Sequence, residues 1–181
     1  MHKKPSPSER VGGGSFLTRY MTSRLEQLYL EGEQAIKNND FVEAIHKLEE
    51  MLAEDPQSCR AHNSLGWLYR TQLDEYDRAE THYTMCLKYA PNYPHAYWNY
   101  VYLLTDLERY DEAVQLMRRA LNVPSVDKPS VYNRLGMIHE LQQQYADAVA
   151  NYKKAIRLCL NNETIEDYKR HVERCEYKMT L

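Results

Sequence analysis

Four copies of one short motif, an aromatic residue, two other residues and then alanine, recur along this chain at a nearly constant interval. The copies are Phe41-x-x-Ala44, Tyr76-x-x-Ala79, Tyr110-x-x-Ala113 and Tyr145-x-x-Ala148, and their alanines lie 35, 34 and 35 residues apart. A fixed period of this length is typical of repeat proteins, in which each unit buries its apolar face by stacking on its neighbours. The period therefore predicts a repeat array.

Each repeat has the pattern of two helices joined by a short turn. Gly32, Gly66 and Gly136 lie inside otherwise helical segments, although glycine there costs about 1 kcal/mol relative to alanine. We therefore expect another helix to pack closely against each glycine. Pro56 and Pro91 follow second helices, because proline cannot continue a helix. The sequence predicts four antiparallel helix pairs over about residues 22–57, 58–92, 93–125 and 128–160.

The second repeat carries the fullest form of the motif. Its residues are His62-x-x-Leu65-Gly66-x-x-Tyr69, then Ala79-x-x-x-Tyr83, then Pro91. This pattern resembles the tetratricopeptide repeat, in which W-x-x-L-G-x-x-Y, A-x-x-x-F and P recur about every 34 residues. In the third repeat Val101 replaces the glycine, so we expect that helix pair to be spaced slightly wider. The resemblance implies an all-α fold, a right-handed superhelical array of antiparallel helix pairs (a TPR-like α-solenoid).

The two ends of the chain differ from the repeats. Residues 1–20 contain Pro5, Pro7 and three consecutive glycines, and we predict that they form a disordered tail. Residues 161–181 are predicted to form a ninth helix that begins at an asparagine cap and covers the last helix pair. The alternative for this helix is a partner-binding or dimerising role. Its apolar stripe consists of Ile165, Tyr168, Val172, Cys175 and Met179.

Charge and hydropathy argue against several classes of function. The net charge is −3, but residues 1–20 carry +3, which leaves −6 for the remainder. A mildly acidic body repels phosphate backbones, so we expect no nucleic-acid partner. No apolar run approaches the roughly 18 residues of a membrane span, and no apolar segment of a secretion signal follows Lys3 and Lys4. We therefore expect a cytoplasmic protein that binds no membrane.

The residue types that usually carry catalysis or bind metals form no familiar pattern here. His139-Glu140 lacks the second histidine of an H-E-x-x-H zinc site, and His62 and His139 are expected to serve as packing residues. No two cysteines form a C-x-x-C pair, so we expect four reduced thiols. We predict neither an enzyme nor a protein that needs a metal or another cofactor. The cysteines are Cys59, Cys86, Cys159 and Cys175.

The family resemblance implies a concave groove lined by the first helix of each repeat. The positions on its inner face hold mainly aromatic, asparagine and arginine residues, and aromatic residues and arginine are enriched in interface hot spots. We predict that the groove binds a peptide or protein segment with apolar anchors and at least one carboxylate. Packing of each tryptophan between helices is the alternative. From the first repeat to the fourth, the predicted groove residues are Tyr29 and Glu33; Arg60, Asn63, Trp67 and Arg70; His95, Trp98, Asn99 and Tyr102; and Asn133, Arg134 and Met137.

One binding mode of the family is excluded by this sequence. A subfamily holds acidic chaperone C-termini with a lysine and an asparagine four residues apart on one first helix, and the matching positions hold Tyr29 and Glu33, then Asn63 and Trp67. The leading hypothesis is a scaffold or adaptor for a protein partner, and a dedicated secretion or assembly chaperone is the alternative. RNA binding by a helical repeat is a third class, which the acidic body disfavours. The sequence leaves the partner, the pathway and the oligomeric state open.

Overall fold

The computed structural model describes the backbone of residues 13–181 and the side chains of residues 21–181. Within that part of the chain all regular secondary structure is helical, so the predicted all-α fold is confirmed. No helix among these residues combines the length and the apolarity that a membrane span requires. The helices are α1 (Gly13–Lys37), α2 (Phe41–Glu54), α3 (Cys59–Thr71), α4 (Tyr76–Tyr89), α5 (Pro94–Asp106), α6 (Tyr110–Ala120), α7 (Lys128–Leu141), α8 (Tyr145–Leu158) and α9 (Asn162–Lys178).

The helices stack in chain order. Helix α1 packs on α2, α3 on α4, α5 on α6 and α7 on α8, and each pair also contacts the next one. Contacts across α3 and α4 join Cys59 to Cys86 and Tyr69 to Arg78, so these two helices run antiparallel. Helix α3 also contacts α5 directly, which brings first helices of neighbouring repeats together along one side of the array.

The turn inside every helix pair contains one residue with a left-handed backbone. In the first, third and fourth repeats the next N–H bonds to a carbonyl five residues earlier, as from Arg109 to Leu104 at 2.8 Å, which closes the helix end. In the second repeat the N–H of Glu75 reaches the carbonyl of Tyr69, six residues earlier, and so accommodates the additional residue of that repeat. The left-handed residues are Asn39, Asp74, Glu108 and Gln143, with φ between 54° and 60°.

Two of the helix glycines provide space for a tyrosine ring. A Cβ atom at Gly66 would lie 2.6 Å from Cε1 of Tyr83, and one at Gly136 would lie 2.5 Å from Cε1 of Tyr152. Both distances are far inside van der Waals contact, so a larger residue cannot fit without moving the ring. The predicted close packing of a second helix against these glycines is confirmed. In the third repeat, Val101 takes the place of the glycine and is fully buried. Met117, sixteen residues later, takes the place that Tyr152 has relative to Gly136. Val101 and the flexible Met117 belong to the same core cluster.

Helix α9 packs on α8, as the sequence predicts for a capping helix. The side chain of Asn161 accepts the backbone N–H of Thr164 at 2.9 Å and caps the helix. Of the predicted apolar stripe, Tyr168, Val172 and Cys175 are buried, whereas Met179 is exposed at the free end.

A half-buried carboxylate on α7 anchors α9 to the array. Glu140 accepts hydrogen bonds from Arg174 and Lys178 of α9 at 2.7–2.9 Å and from the hydroxyl of Tyr152 at 3.0 Å. These donors, Arg174 first, hold the pKa of Glu140 well below its usual range despite partial burial. The carboxylate therefore remains charged and connects three helices.

The start of the first helix differs from the sequence-based prediction. Helix α1 begins at Gly13, so residues 13–20, which were expected in a disordered tail, have helical backbone. Phe16, Leu17 and Tyr20 continue the three- and four-residue spacing of the apolar positions that follow, a signal that the neighbouring glycines obscure. The remainder of the predicted tail, residues 1–12, lies outside the described residues.

The expectation of four reduced thiols is wrong. Cys59, at the start of α3, and Cys86, near the end of α4, form a disulfide with a Cα–Cα distance of 4.3 Å, and Cys159 and Cys175 are free. The two bonded residues are 27 positions apart and meet only because the helices are antiparallel. A search for short cysteine spacings could not detect this pair.

Candidate functional site

A cleft of about 330 Å³ lies on the side of the array where first helices meet. Helices α1, α3 and α5 each contribute two side chains four residues apart, which places both on the same helix face. These are the predicted residues Tyr29 and Glu33, Asn63 and Trp67, and His95 and Asn99. The remaining lining residues, which sequence reasoning missed, are Ile36, Ser64 and Tyr93.

Hydrogen bonds between first helices hold the cleft in shape. The amide of Asn99 donates to the side-chain oxygen of Asn63 at 2.9 Å and connects α5 to α3. The hydroxyl of Ser64 donates to Oε1 of Glu33 at 2.8 Å and connects α3 to α1. Because each asparagine uses only one amide atom in this pair, each retains a free donor or acceptor for a ligand.

The ionisable side chains around the cleft shift the pKa of the Tyr93 hydroxyl. Burial raises the pKa of the Tyr93 hydroxyl, and the neighbouring Tyr29 raises it further. Arg60 acts in the opposite direction, and Glu33 in the same direction as Tyr29. The cleft therefore combines three aromatic residues with one carboxylate, that of Glu33, in a partly desolvated space.

Arg60, a predicted groove residue, is neutralised within the protein. Its guanidinium lies 3.7 Å from the centre of the Tyr29 ring and pairs with the carboxylate of Glu26 at 2.6 Å. The hydrogen bond from Arg60 lowers the pKa of Glu26. Arg60 therefore stiffens the cleft wall behind Tyr29, and its charge is compensated.

A second cluster on the predicted groove face surrounds the exposed ring of Tyr102. Arg70 lies 5.4 Å from the centre of this ring and Arg134 lies 4.3 Å from it. Arg70 pairs with Asp106 at 2.6 Å, whereas Arg134 donates from Nη2 to the Tyr102 hydroxyl at 2.6 Å. The Nε atom of Arg134 is buried without an acceptor, and no carboxylate of the described residues pairs with this guanidinium.

Two predicted groove residues of α7, Asn133 and Met137, lie next to the capping helix. The amide of Asn133 lies 3.8 Å from the sulfur of Met137, and its oxygen lies 3.1 Å from Nδ1 of His171 on α9. Met137 packs against the core cluster that α8 and α9 share. Helix α9 therefore borders the groove face at this end, which its sequence pattern does not reveal.

Both tryptophans are half-buried. Trp67 packs on the core of the first two repeats and also lines the cleft. Trp98 packs on the core of the third and fourth repeats and does not line the cleft. The structure therefore combines the two alternatives for Trp67, which serves in packing and remains accessible from the cleft.

Sequence reasoning missed the charged partners of the groove arginines. Glu26 and Arg60 are 34 residues apart, and Arg70 and Asp106 are 36 apart, so each pair joins equivalent parts of adjacent repeats. A search for opposite charges separated by about one repeat period could have found both pairs. Tyr93 immediately precedes α5 and lies outside the helical pattern that selected the other groove residues.

The polar groups buried between α3 and α4 form a separate cluster. Nε2 of His62 lies 3.1 Å from the carbonyl of Pro56, which can only accept, so Nδ1 of His62 accepts from Nδ1 of His82 at 2.9 Å. His139 is also buried and bonded, to Gln144 at 2.8 Å, so the predicted packing role of His62 and His139 is confirmed. Among the described residues, no group of three or more histidine, cysteine or acidic side chains is placed to hold a metal ion.

Comparisons with solved structures support the same architecture. PilF of Pseudomonas aeruginosa superposes with a TM-score of 0.74 and 22% identity over 88% of this chain and 71% of that one. MamA (residue 41 to the end) from Desulfovibrio magneticus RS-1 gives a TM-score of 0.71 and 18% identity over 87% and 86%. YrrB, described as a TPR protein with an unusual peptide-binding site, gives 0.58 and 19% over 71% and 63%. At these identities the likeness shows the fold alone.

Sequence comparison identifies the family. No curated protein shows a significant match to this chain. Two models described as tetratricopeptide repeat do match, one at residues 29–85 and 72–129 and the other at residues 129–162. Together they cover well over half of the chain. The chain therefore belongs to the tetratricopeptide repeat family.

Proposed function

We propose that this chain is a protein-interaction scaffold that binds a segment of a partner protein along the groove formed by its first helices. One observation carries the proposal: three consecutive first helices place six predicted residues around one cleft. Concave sites with aromatic walls and a few polar groups at fixed positions are typical of ligand binding. The fold that this chain shares with YrrB, a protein described as having a peptide-binding site, is consistent with this proposal.

The cleft suits a polypeptide ligand. Trp67, Tyr29 and Tyr93 supply aromatic area of the kind that dominates interface energetics. Asn63 and Asn99 hold free amide atoms that can bond to the backbone of a bound segment, whatever its sequence. Because interhelix hydrogen bonds already fix these side chains, binding costs little ordering of the scaffold.

Catalysis is not part of the proposal. Ser64 and His95 both line the cleft, but the hydroxyl of Ser64 donates directly to Glu33 instead of to a histidine. An activated serine requires a base that accepts its proton and is itself oriented by a third group. The cleft residues therefore support binding, and we propose an adaptor without enzymatic activity.

The test is affinity capture from the native lysate with three forms of the protein. Trp67→Ala removes the groove aromatic, and Tyr177→Ala removes an exposed aromatic of α9 outside the groove as a matched control. We expect mass spectrometry to find one set of partners with the wild type and with Tyr177→Ala, and to find it depleted with folded Trp67→Ala. Equal recovery with Trp67→Ala would contradict the proposal.

A further inference from the structure

We propose that the groove is electrically polarised and selects a segment of opposite polarity, with a lysine or arginine side chain in the cleft beside Glu33 and a carboxylate at Arg134. This inference depends on the proposed function, because it names the ligand chemistry of the same groove. Two unpaired charges of opposite sign, one on α1 and one on α7, carry it.

The cleft has the composition of a site for an organic cation. Tyr29, Trp67 and Tyr93 line it together with the carboxylate of Glu33. A cation is attracted electrostatically to the face of an aromatic ring, and more strongly where water is displaced. A carboxylate in the same space adds a charge-assisted hydrogen bond. The other titratable groups that line the cleft are Tyr29, Tyr93 and His95.

Glu33 is available to such a ligand. Its Oε1 accepts from the hydroxyl of Ser64 at 2.8 Å, and no lysine or arginine of the described residues forms an ion pair with it. The nearby cation, Arg60, is already paired with Glu26 at 2.6 Å. Within the described residues, the negative charge of Glu33 is therefore not compensated by a basic side chain.

Arg134 is the opposite case at the other end of the groove. Arg60 is paired with Glu26 and Arg70 with Asp106, whereas among the described side chains Arg134 bonds to the Tyr102 hydroxyl and to no carboxylate. The Nε atom of Arg134 is buried, so a ligand would approach this guanidinium through its terminal Nη atoms. A carboxylate from a partner would provide the counter-charge, because arginine binds carboxylates through two parallel hydrogen bonds.

The separation of the two sites sets the spacing of the charges in the ligand. Direct contacts connect the helices between them: Ser64 joins α3 to Glu33, Asn99 joins α5 to α3, and Tyr102 joins α5 to Arg134. Packed helices lie about 8–10 Å apart, so the two charges are on the order of 20–30 Å apart. An extended chain covers about 3.3 Å per residue, which places the two ligand charges roughly six to nine residues apart.

The experiment is selection of a phage-displayed library of random 12-residue peptides at pH 8 and low salt. The wild type, Trp67→Ala, Glu33→Gln and Arg134→Gln serve as targets, after circular dichroism has shown that each is folded. Glu163→Gln and Arg157→Gln remove exposed charges of α9 and α8, outside the groove, and are the matched controls. We expect wild-type binders to carry a basic and an acidic residue about six to nine positions apart.

Affinities of the selected peptides then test each charge. Glu33→Gln should weaken the affinity for a selected peptide about tenfold. It should not change the affinity for the same peptide after its basic residue has been replaced by methionine. Arg134→Gln should likewise weaken the affinity for the selected peptide, but not for the same peptide without its acidic residue. Both control variants should bind with the affinity of the wild type. Binders that depend on Trp67 but carry no such charge pair, or ignore both substitutions, would overturn this inference and leave the proposed function intact. Absence of any binder that depends on Trp67 would contradict the proposed function itself.

Discussion

The first helices of this protein have two faces that follow different physical rules, and α3 shows both in adjacent residues. Gly66 is buried and leaves no room for a methyl group, because the ring of Tyr83 occupies that space. Trp67, the next residue, is half-buried and lines an open cleft with Asn63. We call these the packing face and the groove face. We expect stability to depend mainly on the packing face, and the proposed binding to depend on the groove face.

The packing face should show the largest effect. Gly66→Leu puts a branched side chain where even a Cβ atom would lie 2.6 Å from the Tyr83 ring, so we expect a loss of about 3 kcal/mol in the free energy of unfolding. Urea denaturation measures this loss. Trp67→Leu, one residue away on the groove face, is the control and should cost clearly less. Equal midpoints for Gly66→Leu and the wild type would show that the two faces do not differ.

We expect the next largest loss of stability from the carboxylate of Glu140, which anchors α9 to the array. Glu140→Gln removes the charge that Arg174 and Lys178 share, and we expect a loss of about 1–3 kcal/mol. Because the pKa of Glu140 is lowered by folding, the charged form stabilises the protein above the unfolded pKa, and this contribution disappears as the pH falls. Glu166→Gln, an exposed charge of α9, is the control. Equal stability of Glu140→Gln and the wild type at pH 7 would show that α9 docks without this anchor.

The histidines between α3 and α4 predict a smaller effect that depends on pH. Burial, with the neighbouring His62 and Arg78, lowers the pKa of His82 to about 4. A histidine in the unfolded chain takes up its proton near pH 6.5. Between about pH 6.5 and 4 the unfolded state therefore binds more protons than the folded state, and the free energy of unfolding decreases as the pH decreases. After allowance for the partial exposure of the ring, we expect a loss of about 1 kcal/mol from pH 7.5 to 5.

Melting temperatures at the two pH values measure the histidine effect. His82→Gln should reduce the fall in stability, whereas His46→Gln, which replaces an exposed histidine of α2, should leave it unchanged. Because His62 also has a pKa lowered by burial, part of the fall should remain in His82→Gln. If His82→Gln and the wild type lose the same stability on acidification, the buried pair does not titrate as described.

The turns belong to neither face and should give the smallest effect. Glu108 has φ 56°, a conformation that glycine adopts without the steric cost of a Cβ atom. We expect Glu108→Gly to stabilise the protein by about 0.5–1 kcal/mol, measured by thermal unfolding. Asn39→Gly is the matched comparison and should gain less, because asparagine tolerates this conformation. A loss of stability in Glu108→Gly would contradict the interpretation.

The elements predicted well from sequence are those with local signals. The 35-residue period, the glycines at 66 and 136 and the asparagine cap of α9 each reflect one helix or one helix pair. The i, i+4 spacing on α1, α3 and α5 likewise brought six groove residues to one cleft. Helical periodicity fixes which way a side chain points, and the repeat period fixes which helix it faces.

The sequence patterns did not predict features that depend on contacts between residues far apart in the chain. The Cys59–Cys86 bond forms across an antiparallel pair, at a spacing that no short motif describes. The compensation of Arg60 by Glu26 depends on which rotamers two long side chains adopt, and sequence pattern does not specify rotamers. Arg60, Arg70 and Arg134 are equivalent in the sequence pattern, yet among the described side chains Arg60 and Arg70 have a carboxylate partner and Arg134 has none.

The central claim is that the groove face binds the partner without being needed for the fold, and Trp67→Ala tests it most directly. Isothermal titration calorimetry with the captured partner should show binding weakened by about 2 kcal/mol or more, while circular dichroism shows a folded helical protein. Because Trp67 also packs on the core of the first two repeats, the melting temperature should fall without loss of the fold. Trp98→Ala, which removes the tryptophan outside the cleft, measures whether the binding surface extends along the groove. An unfolded Trp67→Ala variant, or a folded one with unchanged affinity, would contradict the claim.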